Sequence, residues 1–321
     1  MRPGPSALHG ACIEFYLSRR GNPSIRVVRL PWITSSHRDG KFNETRGAHI
    51  AEIGVDANCV GSTRSRCWAN PPGGNTAMGV IRDCARLLRR TPIHPQWLLG
   101  RRQIPEGLIN ATGVILDVGA ADRWIAAHLP ETASYVALDY PATGNEFYNA
   151  RPDIFADACH LPVADACVDG VVCLEVIEHV PDPALAIKEI ARVLKPGGRA
   201  WISMPFLYPV HNEPFDFQRY TEFGLRRDMA RAKLEVTDLH RSGHAIRAAG
   251  LVMCLAIAGG VDTRRGVLKA ALLPVALVAI FTTNVATWLL SLAWPDWDNI
   301  STGHHLEVRK PCEPTVTPDR A

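Results

Sequence analysis

Three acids stand at the ends of apolar segments in the middle of the chain. They are Asp117 in Val114-Ile115-Leu116-Asp117-Val118-Gly119, Asp139 at the end of Tyr135-Val136-Ala137-Leu138-Asp139, and Asp157 at the head of Asp157-Ala158-Cys159-His160-Leu161-Pro162. Another, Glu175, follows in Leu174-Glu175-Val176-Ile177-Glu178-His179-Val180. Acids at the carboxyl ends of successive strands line the edge of an open α/β sheet where such sheets bind ligands. Carboxylates there suit a nucleoside with hydroxyls and a cationic group. They do not suit a triphosphate, which calls for a Gly-Lys-Ser/Thr loop that this sequence lacks.

The elements that must position these residues are legible as an alternation. Apolar runs near 114–119, 134–139, 153–156, 168–174 and 199–205 read as strands, and 122–129, 183–194 and 221–232 as helices. Pro183 sits where a first helical turn tolerates it, and Lys195-Pro196-Gly197-Gly198 stops that helix. Such spacing predicts βαβ crossovers and a mostly parallel sheet. Leu234 to Leu239 and His304 to Arg309 read as two more strands. The expected class is α/β: a Rossmann-like, seven-stranded, mostly parallel sheet with helices on both faces, plus an apolar helical insertion before the last strand.

Four regions follow. Residues 1–75 mix Arg, Pro, Gly, Ser and Asn without period and are expected to be a poorly ordered extension, with one candidate strand over Ser24 to Leu30. Residues 76–240 form the expected core, entered by a helix on which Val80, Ile81, Cys84, Leu87 and Leu88 share a face. Residues 241–303 are the apolar insertion, and 304–321 the last strand and tail.

Composition narrows the class. The chain has 321 residues, a net charge of +3 and 47% hydrophobic residues, enough for a sizeable core. So small a charge argues against a dedicated nucleic-acid binder. The nine cysteines are scattered with no Cys-x-x-Cys, which predicts reduced thiols, a cytoplasmic setting and no metal centre. The first residues carry no apolar core of a secretory leader.

The insertion holds Ala270 to Trp294, 25 residues without a charge, preceded by Arg264, Arg265 and Lys269. That length can cross a bilayer with its basic flank on the inner side. Three readings stay open: a helical pair packed on the domain or a partner, a monotopic or re-entrant contact of 248–294 with the inner face of the cell membrane, and a single span that leaves residues after 295 outside.

Residues from about 94 to 240 resemble the class I S-adenosylmethionine-dependent methyltransferases, most of all the bacterial type 11-like group associated with polysaccharide and lipopolysaccharide synthesis. The resemblance rests on the segments above together with Arg192 to Gly198, Pro205 to His211 and Pro214 to Thr221, in this order. It implies S-adenosyl-L-methionine as cofactor. Asp117, Gly119 and Ala120 would lie under its methionine part, Asp139 and Tyr140 at the ribose, Asp157 and Ala158 at the adenine, and Glu175 beneath the transferring methyl.

The resemblance also implies a Gly-x-Gly-x-Gly first loop. Here that loop is Gly119-Ala120-Ala121-Asp122-Arg123, and Arg123 is expected to pair with the cofactor carboxylate in place of a backbone contact.

His211, Tyr220 and His179 are the candidates for positioning or deprotonating an acceptor hydroxyl, histidine because its pKa lies near neutrality. His179 and the loop 205–221 also admit a purely structural reading. The expected acceptor is a hydroxyl oxygen of a glycan, nucleotide-sugar or lipid-linked saccharide. A quinone or other small lipid is the alternative acceptor. A degenerate fold acting as a partner protein in a membrane complex is the alternative role.

Overall fold

The computed structural model describes residues 88–141 and 151–312 and three strands nearer the N-terminus. Those three, β1 (Ile13–Leu17), β2 (Ile25–Arg29) and β3 (Ile53–Val55), pair antiparallel in the order β1-β2-β3. β2 falls within the strand expected at 24–30. The lead-in helix expected from residue 77 lies almost wholly outside the described residues.

The main sheet holds β4 (Gly113–Val118), β5 (Ala133–Asp139), β6 (Ile154–Phe155), β7 (Val168–Leu174), β8 (Leu194–Pro205), β9 (Glu235–Ser242) and β10 (Gly303–Arg309). Their order is β6-β5-β4-β7-β8-β10-β9. β4 pairs parallel with β5 and β7, and β10 runs antiparallel to both β8 and β9. The chain steps outward from β4 to β5 and β6, then returns to β7 on the other side of β4. The carboxyl ends of β4 and β7 therefore flank a point where strand order reverses, the place in an open α/β sheet where ligands bind.

Alternation along the strands fills both faces. On one face Leu116, Val118, Leu138, Val171, Cys173 and Ile202 pack under α1 (Pro183–Val193) and α2 (Glu222–Arg231), which contribute Ile187, Ile190, Leu225 and Met229. Asp182 caps α1 by accepting from Leu185 N at 3.0 Å, and Thr221 caps α2 by accepting from Gly224 N at 3.2 Å. On the other face Ile115, Val172 and Trp201 pack under Leu108 and Ile125. Those two residues lie on short 3-10 helices, Glu106–Asn110 and Trp124–His128. The helix expected at 122–129 is thus a tight 3-10 segment entered through Arg123 in a left-handed conformation (φ 58°).

The insertion is a helical hairpin of α3 (Ala245–Asp262) and α4 (Gly266–Ala293). Its close approach needs Gly250, because a Cβ there would stand 2.5 Å from Thr287 Oγ1. Two polar side chains of the apolar run, Asn284 and Ser291, face inward. Asn284 is fully buried and donates to the carbonyls of Pro92 (2.6 Å) and His94 (3.0 Å), and Ser291 Oγ accepts from Arg247 Nε at 2.6 Å. The outer surface is apolar, with Val267 87% and Val278 67% exposed.

Both helices are long and apolar enough to cross a membrane. β9 and β10 are neighbours in one sheet, so the chain leaves and returns on one side. That pairing removes the reading in which residues after 295 stay across a membrane. β10 lies between β8 and β9, so His304 and His305 stand inside the sheet.

Candidate active site

The first loop begins where β4 ends. Gly119 has φ 76°, and a Cβ on it would come within 2.3 Å of Val176 Cγ2, so this turn admits no side chain as it stands. Gly119 N and Ala120 N both donate to the Leu138 carbonyl, at 2.8 and 3.0 Å, which locks the loop onto the end of β5. Asp139 Oδ2 accepts from Ala121 N at 2.8 Å and its Oδ1 from Tyr140 N at 2.8 Å. Burial raises the Asp139 carboxyl, against the lowering effect of those two N–H groups. The Tyr140 ring is exposed beside it.

Asp117 is buried one strand away. Tyr135 Oη donates to its Oδ2 at 2.5 Å, yet burial pushes its carboxyl up to about 6. Arg123 is engaged within the chain. Its guanidinium grips Asp153 through two bonds of 3.0 and 3.2 Å, donates to the Arg151 carbonyl and lies over the Tyr135 ring at 5.3 Å. The arginine is a brace between the loop and the approach to β6. Asp157 folds back on its own backbone, accepting from Cys159 N at 2.8 Å, with Ala158 packed against Val180 and Ala186.

Glu175 closes β7 with φ 56°, a strained conformation for a residue with a Cβ and one that clusters at functional sites. It is exposed to solvent but ringed by protein, and that crowding raises its carboxyl. Ser203 holds it from β8: Ser203 Oγ donates to Glu175 Oε1 at 2.7 Å, and Glu175 N donates back to the Ser203 carbonyl at 3.2 Å.

The turn after Glu175 is clamped to the loop that follows β8. Gln218 Nε2 donates to the carbonyls of Ile177 (2.5 Å) and Val180 (2.8 Å), and Phe217 N donates to the Glu178 carbonyl at 2.9 Å. His179 Nδ1 lies 2.7 Å from the Phe215 carbonyl, which can only accept, so that nitrogen carries the proton. The clamp brings His179 beside His211, with ring centroids 4.8 Å apart.

His211 Nδ1 is 3.1 Å from Asp216 Oδ2, and Arg219 grips Asp216 from the other side. Burial would raise Asp216, but Arg219 and the His211 N–H outweigh it and hold the carboxyl at about 2. Next to this group opens a cleft of about 460 Å³, with Tyr208, Val210 and His211 on one wall and Leu255, Ala258 and Gly259 of α3 on the other.

Tyr220 is not part of this group. Its ring packs against the core under α2, and burial and a hydrogen bond to Asp228 push its hydroxyl up to about 12. The tyrosine beside His211 is Tyr208, whose ring meets His211 edge-on at 5.2 Å and whose hydroxyl accepts from Gln96 Nε2 at 2.6 Å. Glu178 is the other residue that the sequence reading left without a role: it is fully buried, and neither carboxylate oxygen has a hydrogen-bond partner. The Glu-x-x-Glu-His spacing places it on the turn below His179, but only the fold brings His211 to the same spot.

Residues 116–202 match the methyltransferase domain family. The chain is 37% identical over 95 residues to a ubiquinone biosynthesis O-methyltransferase of Pseudomonas aeruginosa (strain UCBPP-PA14), covering 29% of this chain and 34% of that one. It is 32% identical over 107 residues to the methyltransferase GfsG of Streptomyces halstedii, covering 30% and 38%. The chain thus spans about a third of the length of these curated relatives. Among solved structures, an S-adenosylmethionine-dependent methyltransferase of Methanosarcina mazei aligns over 66% of this chain and all of its own, with a TM-score of 0.40 at 14% identity.

Proposed function

We propose that the chain binds S-adenosylmethionine along the carboxyl ends of β4 to β7 and transfers its methyl group to a hydroxyl oxygen of an acceptor lodged between the 205–221 loop and α3. The observation that carries this reading is the order of Asp117, Asp139, Asp157 and Glu175 along one sheet edge at the strand-order reversal, inside the region that matches the methyltransferase domain family. The donor set suits the cofactor: carboxylates for an ammonium and for ribose hydroxyls, with an exposed aromatic ring at Tyr140.

When bound, the cofactor supplies a methyl group already activated on a sulfonium. The work left to the protein is alignment of the attacking oxygen. In this reading Asp139 and the 119–121 turn hold the nucleoside, Glu175 and Ser203 frame the transfer point, and His211 holds or takes the acceptor proton. Asp216 would then stabilise the imidazolium so formed, while Arg219 keeps Asp216 ionised.

The acceptor class follows from the cleft beside His211. One wall is α3, and α3 pairs with α4, whose outer surface is apolar from Val267 to Leu292. We take this as support for an acceptor carried in or at a membrane: a glycan hydroxyl on a lipid carrier, with the protein held at the inner face through its hairpin. A quinone is the second reading, favoured by the 37% identity to a ubiquinone O-methyltransferase.

Calorimetric titration of S-adenosylmethionine into the purified chain and its Asp139→Ala variant tests the first step. Micromolar binding, weakened at least tenfold in the variant, is expected. A folded chain that binds no cofactor would overturn catalysis and favour a partner protein built on a methyltransferase fold. Radiolabelled methyl transfer into glycolipid or quinone extracts then separates the two acceptors.

A further inference from the structure

Glu178 poses a chemical problem. Its carboxyl is fully buried, both its oxygens lack partners, and its Oε1 faces His179 Nε2 across 3.7 Å. The Phe215 carbonyl fixes the His179 proton on Nδ1, so Nε2 offers a lone pair toward the carboxylate. With Glu178 ionised, two acceptors face each other with no donor between them, and burial pushes its carboxyl well up. Unpaired carboxylates in such surroundings are costly and are found neutralised, paired or bound to a metal.

His211 completes the arrangement. One ligating atom from each of Glu178, His179 and His211 lies within 4.8 Å of the other two. The Nδ1 of His211 is engaged by Asp216 at 3.1 Å and the Pro209 carbonyl at 3.2 Å, both of which can only accept; they lie nearer than the one donor, Arg219 Nη2 at 3.5 Å, so the proton sits on Nδ1 and Nε2 carries a free lone pair. Each histidine is thus oriented by an oxygen on its far nitrogen, the arrangement that supports metal-ligating histidines elsewhere.

We infer that Glu178, His179 and His211 form a binding site for a divalent transition-metal cation. Two imidazoles and one carboxylate suit Zn²⁺, Co²⁺ or Mn²⁺ better than the oxygen-seeking Mg²⁺ or Ca²⁺. Ligand atoms about 2.1 Å from a tetrahedral ion stand about 3.4 Å apart, so small side-chain rotations close this set on an ion. Three protein ligands leave one or more coordination positions open, as in metal sites that act on a substrate. Of the three, His211 also lines the cleft against α3. Nothing in this site rests on the methyltransferase reading. If that reading holds as well, His211 Nε2 serves as a ligand in place of the base, and the ion would supply the acidity of the acceptor oxygen.

The test is a titration of the metal-stripped, full-length chain with Co²⁺, followed by visible absorbance and calorimetry, then displacement by Zn²⁺. One tight equivalent, with the absorbance of nitrogen- and oxygen-ligated cobalt, is expected. Glu178→Gln and His211→Ala should each weaken that equivalent at least tenfold, and Zn²⁺ should raise the Tm of the parent but not of either variant. Glu178→Gln keeps the shape of the buried side chain, so a folded variant is available should His211→Ala unfold. The inference is overturned if the parent binds no equivalent of metal. It is equally overturned if both folded variants bind as tightly as the parent, which would move the metal to the thiols or to His240 and His305. S-Adenosylmethionine affinity measured in the same samples reports on the cofactor site separately.

Discussion

The backbone N–H of Ala121 donates to Asp139 Oδ2 at 2.8 Å while Ala121 itself holds φ at 43°. One hydrogen bond therefore joins the expected ribose ligand to a loop kept in a conformation that L-residues avoid. The strain of a positive φ with a Cβ is of order 1 kcal/mol, and the bond to a buried carboxylate offsets it. Ala121→Gly removes the strain and keeps the bond. We expect a gain of about 0.5–1 kcal/mol in unfolding free energy, less the added freedom of the unfolded chain, and tighter S-adenosylmethionine binding. Denaturant unfolding and calorimetry read both quantities. A destabilised variant with weaker binding would show that the Ala121 methyl makes contacts of its own.

Gly119→Ala should do the opposite. It combines φ 76° with a Cβ 2.3 Å from Val176 Cγ2. We expect a loss of about 1–3 kcal/mol in stability and at least a tenfold loss in cofactor affinity, because the loop must shift at its anchor on Leu138. Adding Val176→Ala removes the clash but not the backbone strain. The double variant should therefore recover only part of the affinity.

Asp117 makes stability depend on pH. Its carboxyl titrates at about 6 in the folded chain because of burial, against about 3.9 in the unfolded chain. Between those values the folded state binds more protons, so stability falls as pH rises from 4 to about 6 and then levels. Two units correspond to at most about 3 kcal/mol. Asp117→Asn keeps an oxygen for the Tyr135 hydroxyl and carries no charge to bury. We expect it to raise stability by about 1–3 kcal/mol at neutral pH and to leave it unchanged near pH 4, read as denaturant midpoints at the two pH values. Weaker cofactor binding should accompany the gain, the usual exchange at a functional carboxylate.

How much of this was legible in the sequence depends on whether a feature is local. Strands β4 to β10, with the acids at the carboxyl ends of β4 to β7, follow from runs of apolar residues and their stops. Pro183 fixes the start of α1 within a few residues. The 3-10 segment at Trp124–His128 was read as a longer helix, because periodicity does not reveal that Arg123 enters it left-handed and braced on Asp153. Tyr220 and Tyr208 share one aromatic loop in the sequence. Only the packing of α2, which brings Asp228 to the Tyr220 hydroxyl, separates them. Glu178 was hidden for the same reason: its lack of partners is a property of the core around it, and its meeting with His211 spans the whole of β8.

The hairpin supplies the last prediction. Val267, Val275 and Val278 of α4 are 87%, 65% and 67% exposed, and no described element covers them. Burying a valine side chain in an apolar phase gains about 1.5 kcal/mol, so three together contribute about 4.5 kcal/mol, a factor of roughly a thousand in partition. Replacing all three by Ser should move the chain from vesicles to the soluble fraction in a flotation assay. Its cofactor affinity should stay the same, because the sheet edge lies outside the hairpin. Asn284 and Gly250 face the inner seam and are left intact, so the α3–α4 pair keeps its packing and the Tm should not fall. If the parent chain does not float with vesicles, the apolar surface serves a protein partner, and the membrane-borne acceptor loses its support.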